Sequence, residues 1–500
     1  MSFLPVILWS DALVFLLLAA CIASAWYIRQ REHLLLPWRR VAQNTTAMVS
    51  LLVLSLFLLA GLLDTLHYRA ALPEKNGGET VYSPEVLSVF DKLVEPLRLH
   101  TEKTYSAPFA VTLYAKESIS DAQGNVLRDY PRLKYGGAHL AGEAQRDGDA
   151  VKRGLVGGVV GFAIGLLLVV LVSFFGMPRG KGNNPPQSPQ PTPALPCQGG
   201  SRGEALAPPL TRGGWEGFAL LRETIAHHAA VIIAFLIIAT LIGITVSLAS
   251  AYHVLGTDKV GQDVLYLSLK SIRTGLIIGT VTTLVTLPLA LLLGIAAGYF
   301  RGWVDDAIQY TYTVLSSIPS VLLIAAAVLM MQVTIETHPQ WFDTSASRAD
   351  LRLVFLCLIL GVTSWTGLCR LLRGETLKLR ELEYIQAAQA FGVSSFRILT
   401  RHIVPNVMHI ILISLVMAFS ALVLAEAVLS YVGVGVDPSM ISFGTMINAA
   451  RMEMGRDPMV WWALAAAFGF MLVLVLAANL FADAVRDAFD PRLNRTEANA

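Results

Sequence analysis

The chain has few of the residues on which most enzymes and metal proteins depend. Its four cysteines are scattered without the spacing of a zinc site or a disulfide framework; they are Cys21, Cys197, Cys357 and Cys369. No G-x-x-x-x-G-K-[ST] phosphate loop, no H-E-x-x-H helix and no set of nucleophile, base and orienting residue is present. We therefore expect no enzyme activity, no cofactor and no metal site in this chain.

Charge is also scarce. Charged residues make up 15% of the sequence and the net charge is +2, so nothing indicates nucleic acid as a partner. Hydrophobic residues make up 54%. Apolar runs long enough to cross a hydrocarbon core, about 20 residues each, recur along the chain. They predict an all-α polytopic membrane protein with about nine transmembrane helices in the lipid bilayer.

The positions of arginine predict how these helices are oriented. Arg29, Arg31, Arg39 and Arg40 follow the first span, which places the N-terminus outside and this loop in the cytoplasm. The predicted spans are 5–28, 41–63, 154–175, 228–251, 274–299, 307–331, 351–372, 407–432 and 459–481. Alternation across them places the C-terminus in the cytoplasm. Residues 18–25 contain two possible cleavage boxes, but no basic region precedes them, so cleavage is the less favoured interpretation.

The chain is predicted to fall into five parts. Residues 1–63 form two N-terminal spans with a cytoplasmic loop, 64–153 a small α+β extracytoplasmic insertion, and 154–176 the third span. Residues 177–217, rich in Pro, Gly and Ser, form a disordered cytoplasmic linker, and 228–500 a six-helix core. In the insertion, Ser83 is expected to cap a helix, 109–113 to form a strand, and the chain from Val126 to return as another strand.

Two smaller predictions concern helix packing and the membrane surface. Gly157, Gly161 and Gly165 form a row of small residues in the third span, for which packing within the chain is favoured over an oligomer interface. Trp461 and Trp462 are typical of the aromatic belt at a membrane surface.

A polar block interrupts the apolar second half at residues 373–406, RGETLKLRELEYIQAAQAFGVSSFRILTRHIVPN. Its composition predicts a helix from Glu383 to Phe391 that stops at Gly392, since glycine commonly follows the last residue of a helix. A second short helix is expected from Ser394 to Ile403, ending at Pro405. Together they predict a rigid knob outside the bilayer.

The spacing of residues in the polar block resembles the EAA loop of binding-protein-dependent ABC importer permeases. That resemblance rests on Gln386-Ala387-Ala388, Gly392 and Pro405. In the family this loop docks into a groove of a cytoplasmic ATPase subunit, which implies coupling roles for Glu383, Gln386, Ala387, Ala388, Gly392 and Pro405. Gln386 stands where the family has Glu, and His402 and Val404 also depart from its pattern. The alternative interpretation is an amphipathic surface helix between two spans.

Four further stretches resemble the dipeptide, oligopeptide and nickel branch of the same permeases. In order they are 255–263, with Gln262 where Arg is usual, then 298–305, 429–435 and 486–492. The resemblance covers 252–492 and not 1–215. It implies a permease of the bacterial inner membrane for peptides or similar small solutes. It further implies a second permease subunit, two cytoplasmic ATPase subunits that hydrolyse ATP, and an extracytoplasmic substrate-binding protein.

The role of the insertion is left open. Contact with the binding protein or with the second permease, and a cap without such a role, are equally favoured for 64–153.

Glu426 is an ionisable residue inside its predicted span, where a charge is costly. A structural or gate role through hydrogen bonding is favoured over direct contact with substrate. Two alternatives to an importer are an ion-coupled carrier, for which the sequence shows no inverted repeat, and an exporter-type ABC permease.

Overall fold

The computed structural model describes residues 3–30, 32–72, 82–120, 126–176, 213–341 and 344–489. The helices are α1 Trp9–Arg29, α2 Glu32–Gln43, α3 Thr45–Asp64, α4 Val89–Leu93, α5 Glu95–Leu99, α6 Arg146–Gly176, α7 Gly213–Ala249, α8 Val264–Phe300, α9 Trp303–Ser317, α10 Ser320–Thr337, α11 Ser345–Arg380, α12 Glu383–Ala390, α13 Ser395–Ile398, α14 Val404–Val432, α15 Phe443–Glu453 and α16 Trp462–Phe489. The strands are β1 Phe3–Val6, β2 His67–Ala70, β3 Leu87–Ser88, β4 Glu117–Ser120 and β5 Val126–Asp129.

Within these described ranges, nine helices are long and apolar enough to cross a membrane. This number and the small sheets confirm the predicted all-α polytopic fold with a minor α+β part. The chain forms two compact units, one comprising Met1–Lys152 and Ser247–Ala500 and the other Arg153–Val246. The five-part division expected from the sequence stays a prediction.

The smaller unit consists of most of α6 and most of α7, which pack through small residues. A Cβ atom on Gly161 would lie 2.5 Å from the carbonyl oxygen of Ala239 and 3.0 Å from the Cα of Gly243. The two backbones therefore touch, as close packing in lipid requires. Of the predicted linker, 177–212 lies outside the described residues. Residues 213–217 begin α7, so the expected disorder is wrong there.

The membrane-crossing helices of the larger unit alternate in direction between two ends. One, the insertion end, holds the start of α8 and the residues of the insertion, since Ser106 is hydrogen-bonded to Thr257 just before that helix. The other, the block end, holds the polar block and the end of α16, where Phe489 stacks edge-on against Trp38 of α2. The loops predicted to lie on opposite sides of the membrane thus gather at opposite ends.

Helix α8 is the centre of the larger unit. It packs along α11 and also contacts α3 and α14. The helix axes approach closely because Gly294 and Gly361 lie in the contact, where a Cβ would come within 2.8 Å of the Cys369 carbonyl oxygen and 2.6 Å of the Val285 side chain. Fully enclosed aliphatic side chains fill the interior between α8, α10, α11 and α14, among them Ile278, Val328, Leu353, Leu360 and Leu429.

The span expected at 307–331 is broken into two helices. Helix α9 ends at Ser317, Ile318 is extended with φ −89° and ψ 131°, and α10 starts again after Pro319. Proline disfavours a helical conformation in the residue before it, so Ile318 leaves the helix. The predicted continuous span is therefore wrong, and the membrane-crossing helix here is α10.

The insertion contributes β2 and β3 to a three-stranded sheet in the order β1-β2-β3, whose first strand comes from the N-terminal residues, and it also forms a hairpin of β4 and β5. Ser83 does not cap a helix; Ser88 caps α4, accepting a hydrogen bond from the backbone N–H of Asp91 at 3.0 Å. The strand expected at 109–113 is also wrong, because Phe109 has a positive φ of 58° that no strand allows. The strand expected from Val126 is present as β5.

Candidate functional site: the polar block and its supports

The polar block begins within helix α11 and ends in the first turn of helix α14. Helix α11 runs to Arg380, well into the block, and α12 follows after two residues. After Gly392 come α13 and a π-helical turn, Leu399–Ile403, that continues into α14. The two short helices expected from the sequence are present. The predicted end at Pro405 is wrong, because Pro405 lies in the first turn of α14, where its missing N–H is tolerated.

A buried apolar base holds these short helices in place. Ile385, Ile398 and Ile403 are each 0% exposed and pack with Tyr299 of α8 and Leu372 of α11. Burying one such side chain contributes roughly 1.5–3 kcal/mol. The three isoleucines, one from each segment, therefore make the block a single rigid piece attached to α8 and α11.

The opposite side of the block is an exposed apolar surface, which we call the knob surface. Phe391 is 87% exposed and Phe396 76%, and Leu382 and Tyr384 are each nearly half exposed. Ala387 lies exposed on the same helix as Tyr384. Large aromatic side chains displayed on a rigid surface of a folded protein commonly mark a protein-binding site. The knob surface therefore has the character of a docking surface.

The residues singled out from the sequence lie on or beside this surface. Glu383, Gln386, Ala387, Gly392 and Pro405 are exposed, and Ala388 is half-buried against the isoleucine base.

Gly392 is required for its backbone conformation. Its φ of +73° is one that glycine adopts without strain, and it follows the last residues of α12. Nothing lies within 4 Å of the position that a Cβ would take. The glycine therefore permits the turn and leaves open space outside it.

Polar contacts tie the block to the turn between α8 and α9, which the sequence analysis matched as a motif without assigning it a role. Arg373 donates two hydrogen bonds to Asp305, at 2.6 and 2.7 Å, and holds the pKa of that carboxyl below its usual range. Arg301 pairs with Glu381, and Arg380 donates to the Tyr299 carbonyl oxygen at 2.7 Å. No local pattern could have paired these residues, since 68 positions separate Asp305 from Arg373.

Glu426 lies near the insertion end of α14 and is 1% exposed. Its Oε1 accepts hydrogen bonds from Ser430 at 2.7 Å and from Ser442 at 2.8 Å. Ser442 is the N-cap of α15, and the backbone N–H of Gly444 in the first turn of α15 also interacts with the carboxylate. A carboxylate at a helix N-terminus is favourably placed. Glu426 thus joins α14 to α15.

At the insertion end, the insertion covers the loop before α8. Thr257 is 0% exposed, and its Oγ1 accepts a hydrogen bond from the Ser106 backbone N–H at 2.7 Å. Trp462 donates to the Thr257 carbonyl oxygen at 2.9 Å and stacks edge-on against Tyr114. At 2% exposure, Trp462 is buried under the insertion, so its assignment to an aromatic belt is wrong; Trp461 is half-exposed.

A buried histidine between two carboxylates strengthens this attachment. His253 Nδ1 lies 2.7 Å from Asp263, and its Nε2 lies 3.4 Å from Glu102 of the insertion. Burial lowers the pKa of His253, but the hydrogen bonds to Asp263 and Glu102 outweigh it and raise the pKa to about 9. Burial raises the pKa of Glu102, but bonds from His253 and three backbone N–H groups lower it to about 2. The cluster is therefore a charged one near neutral pH.

A second buried cluster joins α1 to α8 and α11. Asp11 is fully buried, and its Oδ1 accepts a hydrogen bond from Arg273 at 2.7 Å. Arg273 also donates to Ser10 at 2.9 Å and lies 3.8 Å from Asp350. No local pattern in the sequence marks this cluster, because its members come from three distant helices. Among the residues that the structure describes, no group of three or more His, Cys, Asp or Glu side chains is arranged to hold a metal ion.

Comparison with known proteins assigns the second half of the chain. Residues 290–495 match the family described as "Binding-protein-dependent transport system inner membrane component". The oligopeptide transport system permease protein OppC of Mycobacterium tuberculosis is 33% identical over 239 residues, 48% of this chain and 76% of that protein. The glutathione transport system permease protein GsiD of Pectobacterium atrosepticum is 33% identical over 244 residues, 49% and 74% respectively.

The dipeptide permease DppC of Bacillus subtilis is 28% identical over 246 residues, 49% of this chain and 71% of that protein. An inward-facing structure of the MetNI methionine ABC transporter aligns with a TM-score of 0.34 and 15% identity, over 45% of this chain and 98% of that one. The sequence matches confirm the resemblance to peptide permeases: the chain belongs to the family of inner membrane components of binding-protein-dependent transport systems, the permeases of ABC importers.

Proposed function

We propose that the chain imports peptides or similar small solutes as one of two permease subunits, with ATP hydrolysed by two cytoplasmic ATPase subunits. The names of its relatives, permeases for oligopeptides, dipeptides and glutathione, support this substrate class. The observation that carries the proposal is the knob surface, which displays Phe391 and Phe396 on a rigid base at the position of the EAA motif. An ion-coupled carrier would have no use for such a surface.

In this proposal the ATPase moves the polar block as a rigid body. Docking on the knob surface places Ala387 and Gly392, which have no bulky side chain, against the partner, so the two backbones approach closely. Because Ile385, Ile398 and Ile403 fix the block to its base, it moves as one piece. It is continuous with α11 and contiguous with α14, so closure of the ATPases displaces both spans and switches the path between inward-facing and outward-facing states.

The charges at the block end support an orientation for the chain in this proposal. Arg29, Arg39, Arg40, Arg301 and Arg373 all lie at the block end of the larger unit, and such a cluster of arginines is typical of the cytoplasmic side of a membrane. The insertion end, with the N-terminus, then faces outward, where a substrate-binding protein delivers its ligand. The C-terminus lies in the cytoplasm.

Glu426 has a structural role at the outer end of the translocation path, where it holds two helices together. Its carboxylate accepts hydrogen bonds from Ser430 and Ser442 and interacts with the backbone N–H of Gly444, and these contacts fix α15 beside α14. A group so fully enclosed contributes to the gate through the position of α15. It does not reach substrate directly.

The test is transport by the reconstituted complex. The chain is purified with its co-encoded second permease, ATPase and binding protein and placed in proteoliposomes with ATP inside. Uptake of a labelled peptide that requires both ATP and the binding protein is the expected result. Uptake driven by an ion gradient without ATP, or ATP-dependent expulsion, would assign the chain to another class of transporter. A panel of di- and oligopeptides and glutathione then distinguishes the substrates.

A further inference from the structure

Helix α9 has few attachments of its own. Of its fifteen residues, only Asp305 and Tyr312 are buried. Tyr312 packs against Ala290 of α8 and against Trp365 and Cys369 of α11, and Asp305 is paired with Arg373 of α11. Both buried residues of α9 therefore contact α11, and Asp305 contacts the residue at which the polar block begins.

The contact between Asp305 and Arg373 has the geometry of a paired fork. Nε and Nη2 of Arg373 donate to the two carboxylate oxygens of Asp305 at 2.6 and 2.7 Å. Asp305 is 9% exposed and the Arg373 side chain 24% exposed, so the pair is partly shielded from the screening that weakens surface ion pairs. Two parallel hydrogen bonds fix direction as well as distance. Such a contact transmits both rotation and translation.

The turn that joins α8 to α9 is held on the same side. Arg301 and Gly302 both have positive φ, 56° and 58°. Arg301 is also paired with Glu381, the residue that directly follows α11. A Cβ on Gly298, at the end of α8, would lie 2.8 Å from the Arg373 carbonyl oxygen. A non-glycine residue keeps a positive φ only where its surroundings impose it. The turn is thus held against α11 by contacts of Gly298 and of Arg301.

We propose that Asp305 and Arg373 are a positioning pair that makes α9 move together with the polar block. When an ATPase displaces the polar block, the pair carries α9 with it. Motion then passes through the break at Ile318–Pro319 to α10, whose Val328 packs in the core beside α8 and α11. The block in this way moves α10 in addition to the two spans to which it is joined by the chain. This inference rests on the proposed docking of the ATPase at the block.

The test compares Asp305→Asn with Asp306→Asn in the reconstituted complex, measuring peptide uptake and ATP hydrolysis in the same vesicles. Asp306 is the exposed neighbour of Asp305 and serves as the matched control. We expect Asp305→Asn to lower the peptide transported per ATP roughly tenfold, within the range of ordinary coupling free energies. Asp306→Asn leaves this ratio unchanged. A merely structural pair would lower the amount of complex and would not change the ratio.

A reversed pair separates the charge interaction from other effects. Asp305→Arg combined with Arg373→Asp should restore part of the ratio that each single change removes. If Asp305→Asn fails to accumulate, Arg373→Lys takes its place, since lysine keeps the charge but loses the paired geometry. A normal ratio in the variant that accumulates overturns the proposal.

Crosslinking of position 387 to the ATPase in the same preparations tests the docking site separately from the positioning pair. If the crosslink forms and the ratio is normal, the positioning pair alone is wrong. If the crosslink is absent in the unmodified complex, the docking site is wrong as well.

Discussion

Replacing Asp11 with Asn removes one charge from a buried ion pair and so tests whether the N-terminal helix is part of the permease core. Asp11 is on α1, far from the matched region in sequence, and Arg273 is on α8 within the core. Their side chains meet at 2.7 Å, and both are at most 8% exposed. Removing one partner of a buried pair costs about 3–5 kcal/mol, because the other charge stays buried.

The neighbours of the pair reduce this expected loss. Asp350 lies 3.8 Å from Arg273 and still offers a negative charge after Asp11→Asn. The Asn side chain can also keep the acceptor role toward Arg273. We therefore expect the lower end of the range, about 3 kcal/mol. If Asp11→Leu is combined with Arg273→Met, the pair itself is removed, but the buried Asp350 and His67 each lose a partner, so only part of the lost stability should return.

The assay is equilibrium unfolding of the purified chain in detergent. Asp147→Asn is the matched control, because Asp147 is 82% exposed and its surface pair with Arg146 is worth little. Asp11→Asn should unfold much earlier than the control, with the double replacement lying between Asp11→Asn and the unmodified protein. Equal stability of Asp11→Asn and the control would refute the view that α1 and α8 are held together by this pair.

Three further predictions concern the block, α14 and the insertion. Gly392→Arg should leave the protein inserted but uncouple ATP hydrolysis from uptake, whereas Gly392→Asn, which tolerates a positive φ, should retain more uptake; equal uptake by both would contradict this. Glu426→Ala should lower the unfolding free energy by about 2 kcal/mol by stranding two buried hydroxyls, and Glu426→Gln by less; denaturant titration compares them, and equal loss would point to the charge instead. Because the pKa of His253 is raised from 6.5 to about 9, its contribution is complete below pH 6.5 and is lost as pH rises toward 9. Hydrogen exchange of the insertion, corrected for the intrinsic base-catalysed rate, should therefore show a loss of protection over that window in the unmodified protein and not in His253→Gln.

The membrane spans and the helices of the polar block could be predicted from the sequence because the patterns that indicate them are local. A run of apolar residues marks each span, and Gly392 marks the end of α12, since its positive φ follows the last helical turn. The break in the span at 307–331 also had a local signal, Ile318–Pro319. The apolar residues around it concealed that signal, because hydropathy does not register a helix end.

The supports of the site could not be predicted because their partners are distant in sequence. Arg273 and Asp11 are separated by 262 positions, and Ser106 and Thr257 by 151. Each of these residues in isolation has an ordinary surface interpretation. Helix α15 was missed for a similar reason: its N-cap Ser442 is fixed by Glu426 from another helix, and no apolar run announces it.

The most direct test of the account is a cysteine crosslink between position 387 and the groove of the co-encoded ATPase. Ala387 is exposed on α12 beside the aromatic side chains of the knob surface, so a cysteine there changes little of the fold. The account predicts a crosslink whose yield changes when ATP is added. A properly inserted complex that transports peptide but gives no crosslink from position 387, with or without ATP, would contradict it.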